Sequence, residues 1–122
     1  MEHLLHYVWK HKIFPLHELQ TTTGLPVEVI DTGLPNPNAG PDFFNAKLKI
    51  DGTLWVGNVE IHAVSSDWFR HGHDHDIAYD SVILHIATEI DCEIYRTNGE
   101  PVPQLRLACP RRVREHYDEL CR

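Results

Sequence analysis

Residues 40–64, GPDFFNAKLKIDGTLWVGNVEIHAV, predict two β-strands joined by a tight turn. Asp51-Gly52 is a strong signal for a two-residue hairpin turn, and apolar residues alternate with polar ones on both sides of it. In the first strand, residues 43–50, one face is expected to carry Phe44, Ala46, Leu48 and Ile50. In the second strand, residues 53–64, one face is expected to carry Val59, Ile61 and Ala63, and the other Asn58, Glu60 and His62.

This hairpin carries two carboxylates at neighbouring places. Asp42 directly precedes the first strand, Glu60 lies within the second, and His62 is expected on the same face as Glu60. Two carboxylates and a third polar group converging from adjacent strands can hold a hard cation such as Mg²⁺ or Mn²⁺ and polarise a phosphate. The pattern predicts a metal-dependent phosphodiester site, with Asp42 and Glu60 as ligands and His62 beside them.

A purely structural interpretation of the same residues stays open. Asp42 would close a turn by accepting local backbone N–H bonds. Glu60 and His62 would form an exposed strand face, paired across the hairpin with Lys47 or Lys49.

The remaining chain predicts an alternation of helices and strands around the hairpin. The expected helices cover residues 2–12, 75–80 and 111–122, with a further helical turn at 16–19. The other expected strands cover residues 27–30, 81–87, 92–96 and 104–107, the last two joined by a turn at 97–99. The segment 81–87 is apolar enough to be buried on both faces. Residues 31–41 and 65–76 are expected to be loops, the second rich in histidine.

The order helix, strand, strand, strand, helix, strand, with Pro41-Asp42 and then Glu60-x-His62, resembles the PD-(D/E)XK nuclease superfamily. The resemblance covers residues 1–90, and His62 stands where that superfamily has lysine. Some branches carry a Gln-xxx-Tyr motif on the next helix; here His75 and Tyr79 have that spacing. The resemblance implies a restriction-endonuclease-like α/β fold, with a mixed central sheet flanked by helices.

The same resemblance implies roles for particular residues. Asp42 and Glu60 would ligate Mg²⁺ or Mn²⁺, and His62 would orient or deprotonate the attacking water. The residues expected to contact the phosphate backbone of DNA or RNA are Arg70, His71, His73, His75 and Tyr79. A histidine is not permanently positively charged at neutral pH. The replacement of lysine by His62 therefore affects the expected hydrolytic activity more than the expected fold.

The chain also resembles the N-terminal part of an uncharacterised bacterial family of unknown function. The segments that carry this resemblance are GLPNPNAGPDFFNAKLKI, GNVEIHAVSSDWFRHGHDHD and YDSVILHIA. Members of that family are much longer, which implies that residues 1–122 are one domain at the front of a longer protein. The resemblance implies no activity, and a catalytically silent interaction module is one of the open alternatives.

A second metal hypothesis rests on alternating histidines. In an extended segment His71, His73 and His75 would all project from one side. His71 and His73 resemble the His-x-His motif of cupins, and His85 in a later strand would be the third ligand. Such a site would bind Zn²⁺, Ni²⁺ or Fe²⁺ in a cupin-like all-β barrel. The alternative is a solvated loop whose imidazoles cap turns.

Composition limits the classes of function. The 122 residues, 42% of them hydrophobic and 24% charged, predict a single globular domain. A net charge of −7 weighs against binding nucleic acid through excess Lys and Arg, although a bound cation can reverse the local potential. Three widely spaced cysteines indicate free thiols, and with no apolar run long enough for a membrane span we expect a cytoplasmic protein.

Overall fold

The structure, a computed structural model, describes residues 2–15 and 18–120, except for the side chains of residues 117–120. Its α-helices are α1 (Glu2–Lys10), α2 (Asp67–Arg70) and α3 (Arg111–Leu120). Its strands are β1 (Leu19–Gln20), β2 (Pro26–Asp31), β3 (Leu34–Pro35), β4 (Phe43–Ile50), β5 (Thr53–Val64), β6 (Val82–Glu89) and β7 (Gln104–Arg106). Two 3-10 turns, His73–His75 and Ile77–Tyr79, lie between α2 and β6.

The seven strands form one mixed sheet. Its order is β1-β2-β4-β5-β6-β7, and β3 pairs separately with β4. Pairing is antiparallel from β1 to β5 and parallel from β5 to β7. The outer strands approach each other, since the N–H of Thr22 donates to the carbonyl of Gln104 at 2.9 Å, so the sheet is nearly barrel-shaped. The predicted mixed α/β class is confirmed, whereas the all-β alternative is wrong because helices and parallel strands are present.

The predicted β4–β5 hairpin is formed. Asp51 and Gly52 have φ of +52° and +80°, as a two-residue turn with both central residues left-handed requires, and Ile50 pairs with Thr53. The prediction of which β4 side chains share the face of Ala46, Leu48 and Ile50 is wrong at the start of the strand, where Phe43 is buried and Phe44 exposed. A β-bulge between Phe43 and Ala46, with Asn45 at φ +57°, shifts the alternation by one residue.

Both faces of the sheet centre are covered. On one side α1 packs against β5 through Leu4, Leu5, Val8 and Trp9, all buried in the main core. The Trp9 indole donates to the carbonyl of Thr32 at 3.0 Å, so its polar atom is also satisfied. A second apolar cluster contains Trp68, Tyr79, Val82, Ile94 and Val102. Residues 82–87 of β6 are buried throughout, as predicted for this strand.

The helix predicted over residues 75–80 is not formed. Asp76 is extended between the two 3-10 turns, with φ −121° and ψ 113°, and its carboxylate accepts the N–H of Ala78 at 2.9 Å. The side chain therefore caps the second turn and interrupts a continuous helix. Because His75 and Tyr79 lie in different turns, they share no helical face: His75 is exposed and Tyr79 is buried.

The strand predicted over residues 92–96 is also absent from this described segment, where a single bridge joins Tyr95 to Pro101. Pro101 and Pro103 have no N–H to donate, so the facing segment cannot supply a full ladder. The predicted turn at 97–99 is present, because the N–H of Arg96 donates to the carbonyl of Glu100 at 2.8 Å. The turn expected at 16–19 falls partly on residues 16–17, outside the described residues, and Leu19 belongs to β1.

Within the described residues, no helix has the length and apolar character needed to cross a lipid bilayer.

Candidate functional site

Asp42 and Glu60 meet at the end of the β4–β5 pair. Phe43 pairs with Val59, which places the residue before β4 next to Glu60. The N–H of Asp42 donates to Oε1 of Glu60 at 3.2 Å, and the N–H of Ile61 donates to Oδ2 of Asp42 at 2.8 Å. Two backbone-anchored contacts thus hold the two carboxylates together.

Glu60 and His62 do not lie on an exposed strand face. Glu60 is 4% exposed and His62 1% exposed, because α2 and the 3-10 turns cover this end of β5. Lys47 and Lys49 pair instead with Val56 and Leu54, farther along the hairpin. The interpretation of Glu60 and His62 as a solvent-exposed pair with these lysines is therefore wrong.

Burial, followed by the hydrogen bond and the negative charge of Asp42, raises the pKa of Glu60 far above its usual value of 4.5. Two adjacent carboxyl groups in a low-dielectric site cannot both ionise freely. The raised pKa keeps a proton on Glu60 at neutral pH. A cation bound between the two carboxylates would relieve the same repulsion.

Helix α1 brings two further ligand-type groups that the sequence interpretation missed. Nε2 of His6 lies 3.5 Å from Oδ2 of Asp42, and ligand atoms of Glu2, His6 and Asp42 all lie within 4.8 Å of one another. Burial and then Asp42 raise the pKa of Glu2. The available signal was the i, i+4 spacing of Glu2 and His6, which puts both side chains on one helix face.

A chain of hydrogen bonds runs from the loop after β6 to His62. The Nε2 amide of Gln104 donates to the carbonyl of Cys92 at 2.9 Å, so its Oε1 must be the atom that faces Nδ1 of His85, also at 2.9 Å. An amide oxygen only accepts, hence His85 carries its proton on Nδ1. The unprotonated Nε2 of His85 then accepts from Nδ1 of His62 at 2.7 Å. Nε2 of His62 is left with a lone pair that points into the site.

The environment keeps these imidazoles neutral. Burial, followed by the neighbouring histidines, lowers the pKa of His62 to about 2. Burial also lowers the pKa of His85 to about 4. In the nuclease-like pattern a positively charged lysine stands at the position of His62. Because His62 is neutral at neutral pH, it does not supply that charge.

His71 and His73 are brought to the same place by the turn that follows α2. Gly72 between them has φ +70°, a left-handed conformation that costs other residues steric energy. Nδ1 of His71 lies 3.2 Å from Nε2 of His62, and Nε2 of His73 lies 2.8 Å from Oε2 of Glu60. His73 stacks on Tyr79 with ring centroids 3.6 Å apart. Burial and then the charges of Glu60 and Asp42 raise the pKa of Tyr79 to about 12, so its hydroxyl stays protonated.

The other predicted site residues lie elsewhere. Arg70 pairs with Asp67 at 3.3 Å and has a side chain 72% exposed. His75 pairs with Asp74 at 3.2 Å and has a side chain 87% exposed. His85 is next to the site, but both of its ring nitrogens are occupied by Gln104 and His62, so neither is free for the ligand role that the cupin-like hypothesis gave it.

The donor set has the composition of a divalent metal site. Ligand atoms of His62, His71 and His73 lie within 4.8 Å of one another, and Glu60 faces two of them. Although Nε2 of His73 lies close to Glu60, it makes no hydrogen bond with the described part of the chain, and neither does its Nδ1. A buried imidazole without hydrogen bonds is costly unless another partner binds it.

The fold and the site define a mixed α/β domain with a buried histidine and carboxylate cluster. A family model described as protein of unknown function (DUF2851) matches residues 2–122, and the chain belongs to this family. This agrees with the expected membership of an uncharacterised family. Searches of curated proteins and of solved structures gave no match. The resemblance to PD-(D/E)XK nucleases stays a hypothesis.

Proposed function

We propose that this domain is a metal-dependent phosphodiesterase of the nuclease-like class, acting on DNA or RNA. The observation that carries the proposal is the contact between Asp42 and Glu60, two carboxylates fixed by backbone hydrogen bonds at the end of neighbouring strands. Their oxygens are the ligand type that Mg²⁺ and Mn²⁺ prefer. Glu2 and His6 of α1 lie on the Asp42 side and complete a set of mainly oxygen donors.

The order of the elements supports the nuclease-like class. Leaving aside the two-residue strands, the first six elements are α1, β2, β4, β5, α2 and β6. The order of helices and strands is that of the resemblance, although the second helix is α2 and not the helix expected over residues 75–80. Asp42 precedes the second of these strands, Glu60 and His62 lie in the third, and β6 runs parallel to β5.

A cation at Asp42 and Glu60 would offset negative charge on a phosphoryl oxygen of the substrate. The domain's own groups would do the rest. His71, exposed at the rim of the site, would meet the phosphate, and the protonated Tyr79 would support His73 by stacking. His62 would orient Glu60, from which its Nε2 is 3.3 Å, rather than act as a strong base. Hydrolysis would join the water oxygen to phosphorus while the bond to the leaving ester oxygen breaks and that oxygen takes up a proton.

The test is cleavage of nucleic acid by the purified chain with Mn²⁺ or Mg²⁺. Supercoiled plasmid, single-stranded DNA and RNA would be compared, because the site does not distinguish them. We expect nicking that is abolished by EDTA, by Asp42→Asn and by Glu60→Gln, both nearly isosteric. Glu28→Gln, at an exposed position of β2, is the matched control and should cleave like the wild type. Equal cleavage by all variants, or none by a folded wild type on any of the substrates, would contradict the proposal.

A further inference from the structure

We infer that His62, His71, His73 and Glu60 form a transition-metal site, of the kind that binds Zn²⁺, next to the Asp42–Glu60 pair. Three imidazoles and one carboxylate suit Zn²⁺ and related ions far better than Mg²⁺. The inference does not rest on the phosphodiesterase proposal: the two sites share only Glu60, the other three donors are imidazoles, and the inference is measured by binding.

The spacing of the donor atoms fits a coordination polyhedron. Bonds of about 2.1 Å from metal to ligand place neighbouring donors about 3.0 to 3.4 Å apart in octahedral and tetrahedral sites. Here Nε2 of His62 lies 3.2 Å from Nδ1 of His71 and 3.3 Å from Oε2 of Glu60. Nε2 of His73 lies 2.8 Å from the same oxygen. Two of these three distances lie in the expected range, and the third is shorter by about 0.2 Å.

His73 supplies an independent observation. Its side chain is 7% exposed, and neither ring nitrogen makes a hydrogen bond with the described part of the chain, although Nε2 is close to Glu60. Stacking on Tyr79 and an edge contact with Trp68 hold the ring in this orientation. The packing thus fixes a buried nitrogen that lies next to the other donors and makes no hydrogen bond with the described part of the chain.

The hydrogen-bond chain behind His62 supports the same conclusion. The sequence of contacts from Cys92 through Gln104 and His85 places the His62 proton on Nδ1, away from the cluster. A histidine that ligates a metal through one nitrogen commonly donates from the other, and the acceptor fixes its tautomer and orientation. His62 is therefore prepared as an Nε2 ligand by residues that do not touch the site.

The site makes a distinct prediction for His85. The cupin-like hypothesis used His71, His73 and His85 as ligands, whereas the geometry replaces His85 with His62. His85 becomes a positioning residue. Since Glu60 also contacts the Asp42 backbone, it would link this site to the carboxylate pair.

The experiment is a titration of the metal-free 122-residue chain with Zn²⁺ by calorimetry, and with Co²⁺ by visible absorption, which reports the ligand field. We expect one tight Zn²⁺ equivalent that a large excess of Mg²⁺ does not displace. His71→Ala should weaken Zn²⁺ binding more than about tenfold and change the Co²⁺ spectrum. His71 is exposed, so this variant should fold. His75→Ala, four residues away and outside the cluster, is the matched control and should bind like the wild type.

Two further results separate this site from the proposed enzyme. Asp42→Asn should keep Zn²⁺ affinity within about twofold while abolishing nicking, because it removes no Zn²⁺ donor. X-ray absorption of the Zn²⁺ complex should show imidazole back-scattering that decreases in His71→Ala. The site is refuted if the folded wild type binds no Zn²⁺, if His71→Ala binds as tightly as wild type, or if His75→Ala loses as much affinity. In that case His71 Nδ1–H simply donates to His62.

Discussion

Asp42 and Glu60, eighteen residues apart in the chain, are joined by a hydrogen bond from the backbone N–H of the first to the carboxylate of the second. The carboxylate of Asp42 in turn accepts the N–H of Ile61, so the contact is reciprocal across β4 and β5. The sheet thus positions two acids that would repel each other if both were charged and alone. In the metal-free protein the raised pKa of Glu60 keeps a proton on that residue and so avoids the repulsion.

Glu2 should contribute to cation binding at the carboxylate pair. It lies on α1 with His6 and Asp42 near it, and burial together with Asp42 raises its pKa. We expect Glu2→Gln to weaken Mn²⁺ binding about tenfold, equivalent to about 1.4 kcal/mol, in a calorimetric titration. His3→Ala, at an exposed position of the same helix, serves as control. Unchanged affinity in Glu2→Gln would exclude α1 from the site.

Gln104 should matter for stability through hydrogen bonds alone. It is 3% exposed and connects the carbonyl of Cys92 to His85. Gln104→Leu keeps a comparable volume but removes both hydrogen bonds and leaves Nδ1 of His85 unpaired, while the Cys92 carbonyl keeps the hydroxyl of Ser65. We therefore expect a loss of about 1–3 kcal/mol in the free energy of unfolding. Urea denaturation measures it, with the exposed Gln20→Leu as control. If both variants unfold at the same urea concentration as wild type, the chain of hydrogen bonds is not formed.

The metal-free protein should lose stability on acidification. Burial lowers the pKa of His62 to about 2 and the pKa of His73 and His85 to about 4, from an ordinary 6.5. Between pH 6.5 and 4 the unfolded chain therefore binds up to three protons that these folded residues do not. Glu60 acts in the opposite direction, because its raised pKa keeps one proton on the folded state above pH 4.5.

The net difference from these four groups is about two protons, which gives a slope of up to about 2.7 kcal/mol per pH unit. Urea unfolding in EDTA at several pH values between 6.5 and 4 measures it. His75→Gln, which changes an exposed imidazole, should leave the slope unaltered. A stability that stays constant or increases toward pH 5 would show that the three imidazoles are not held neutral.

Gly57 should tolerate no side chain. A Cβ there would lie 2.4 Å from Cγ2 of Ile83 and 2.9 Å from the carbonyl oxygen of Ser81, and the second of these atoms is backbone. Gly57→Ala would push β5 away from β6 and should destabilise the fold by about 1–3 kcal/mol. Thermal unfolding monitored by circular dichroism tests this, with the exposed Thr53→Ala as control. A Gly57→Ala protein as stable as wild type would mean that β5 and β6 are farther apart.

Local sequence patterns predicted much of the central sheet. The Asp51-Gly52 turn, the two long strands of the hairpin and the doubly buried β6 follow from side-chain alternation and turn chemistry. Which of Phe43 and Phe44 is buried could not be predicted. Side-chain alternation assumes a regular strand, and the bulge at Asn45 interrupts that alternation. The short strands β1 and β3 were missed, since two residues carry no periodicity.

The site was predictable only in part. The convergence of Asp42, Glu60 and His62 followed from their placement on adjacent strands. Glu2 and His6 come from a helix distant in sequence, so tertiary packing alone brings them to Asp42. That His85 is hydrogen-bonded at both ring nitrogens depends in part on Gln104, a long-range partner that no local pattern reveals. His75 was wrongly placed because Asp76 ends the first turn.

The most direct test is a crystal structure of the chain with Mn²⁺, with anomalous scattering collected at the manganese edge. The account predicts an anomalous peak within bonding distance of carboxylate oxygens of both Asp42 and Glu60. Crystals of Glu60→Gln in the same solution should lack that peak. A well-ordered wild-type structure with Asp42 and Glu60 in contact but no peak between them at saturating Mn²⁺ would contradict it.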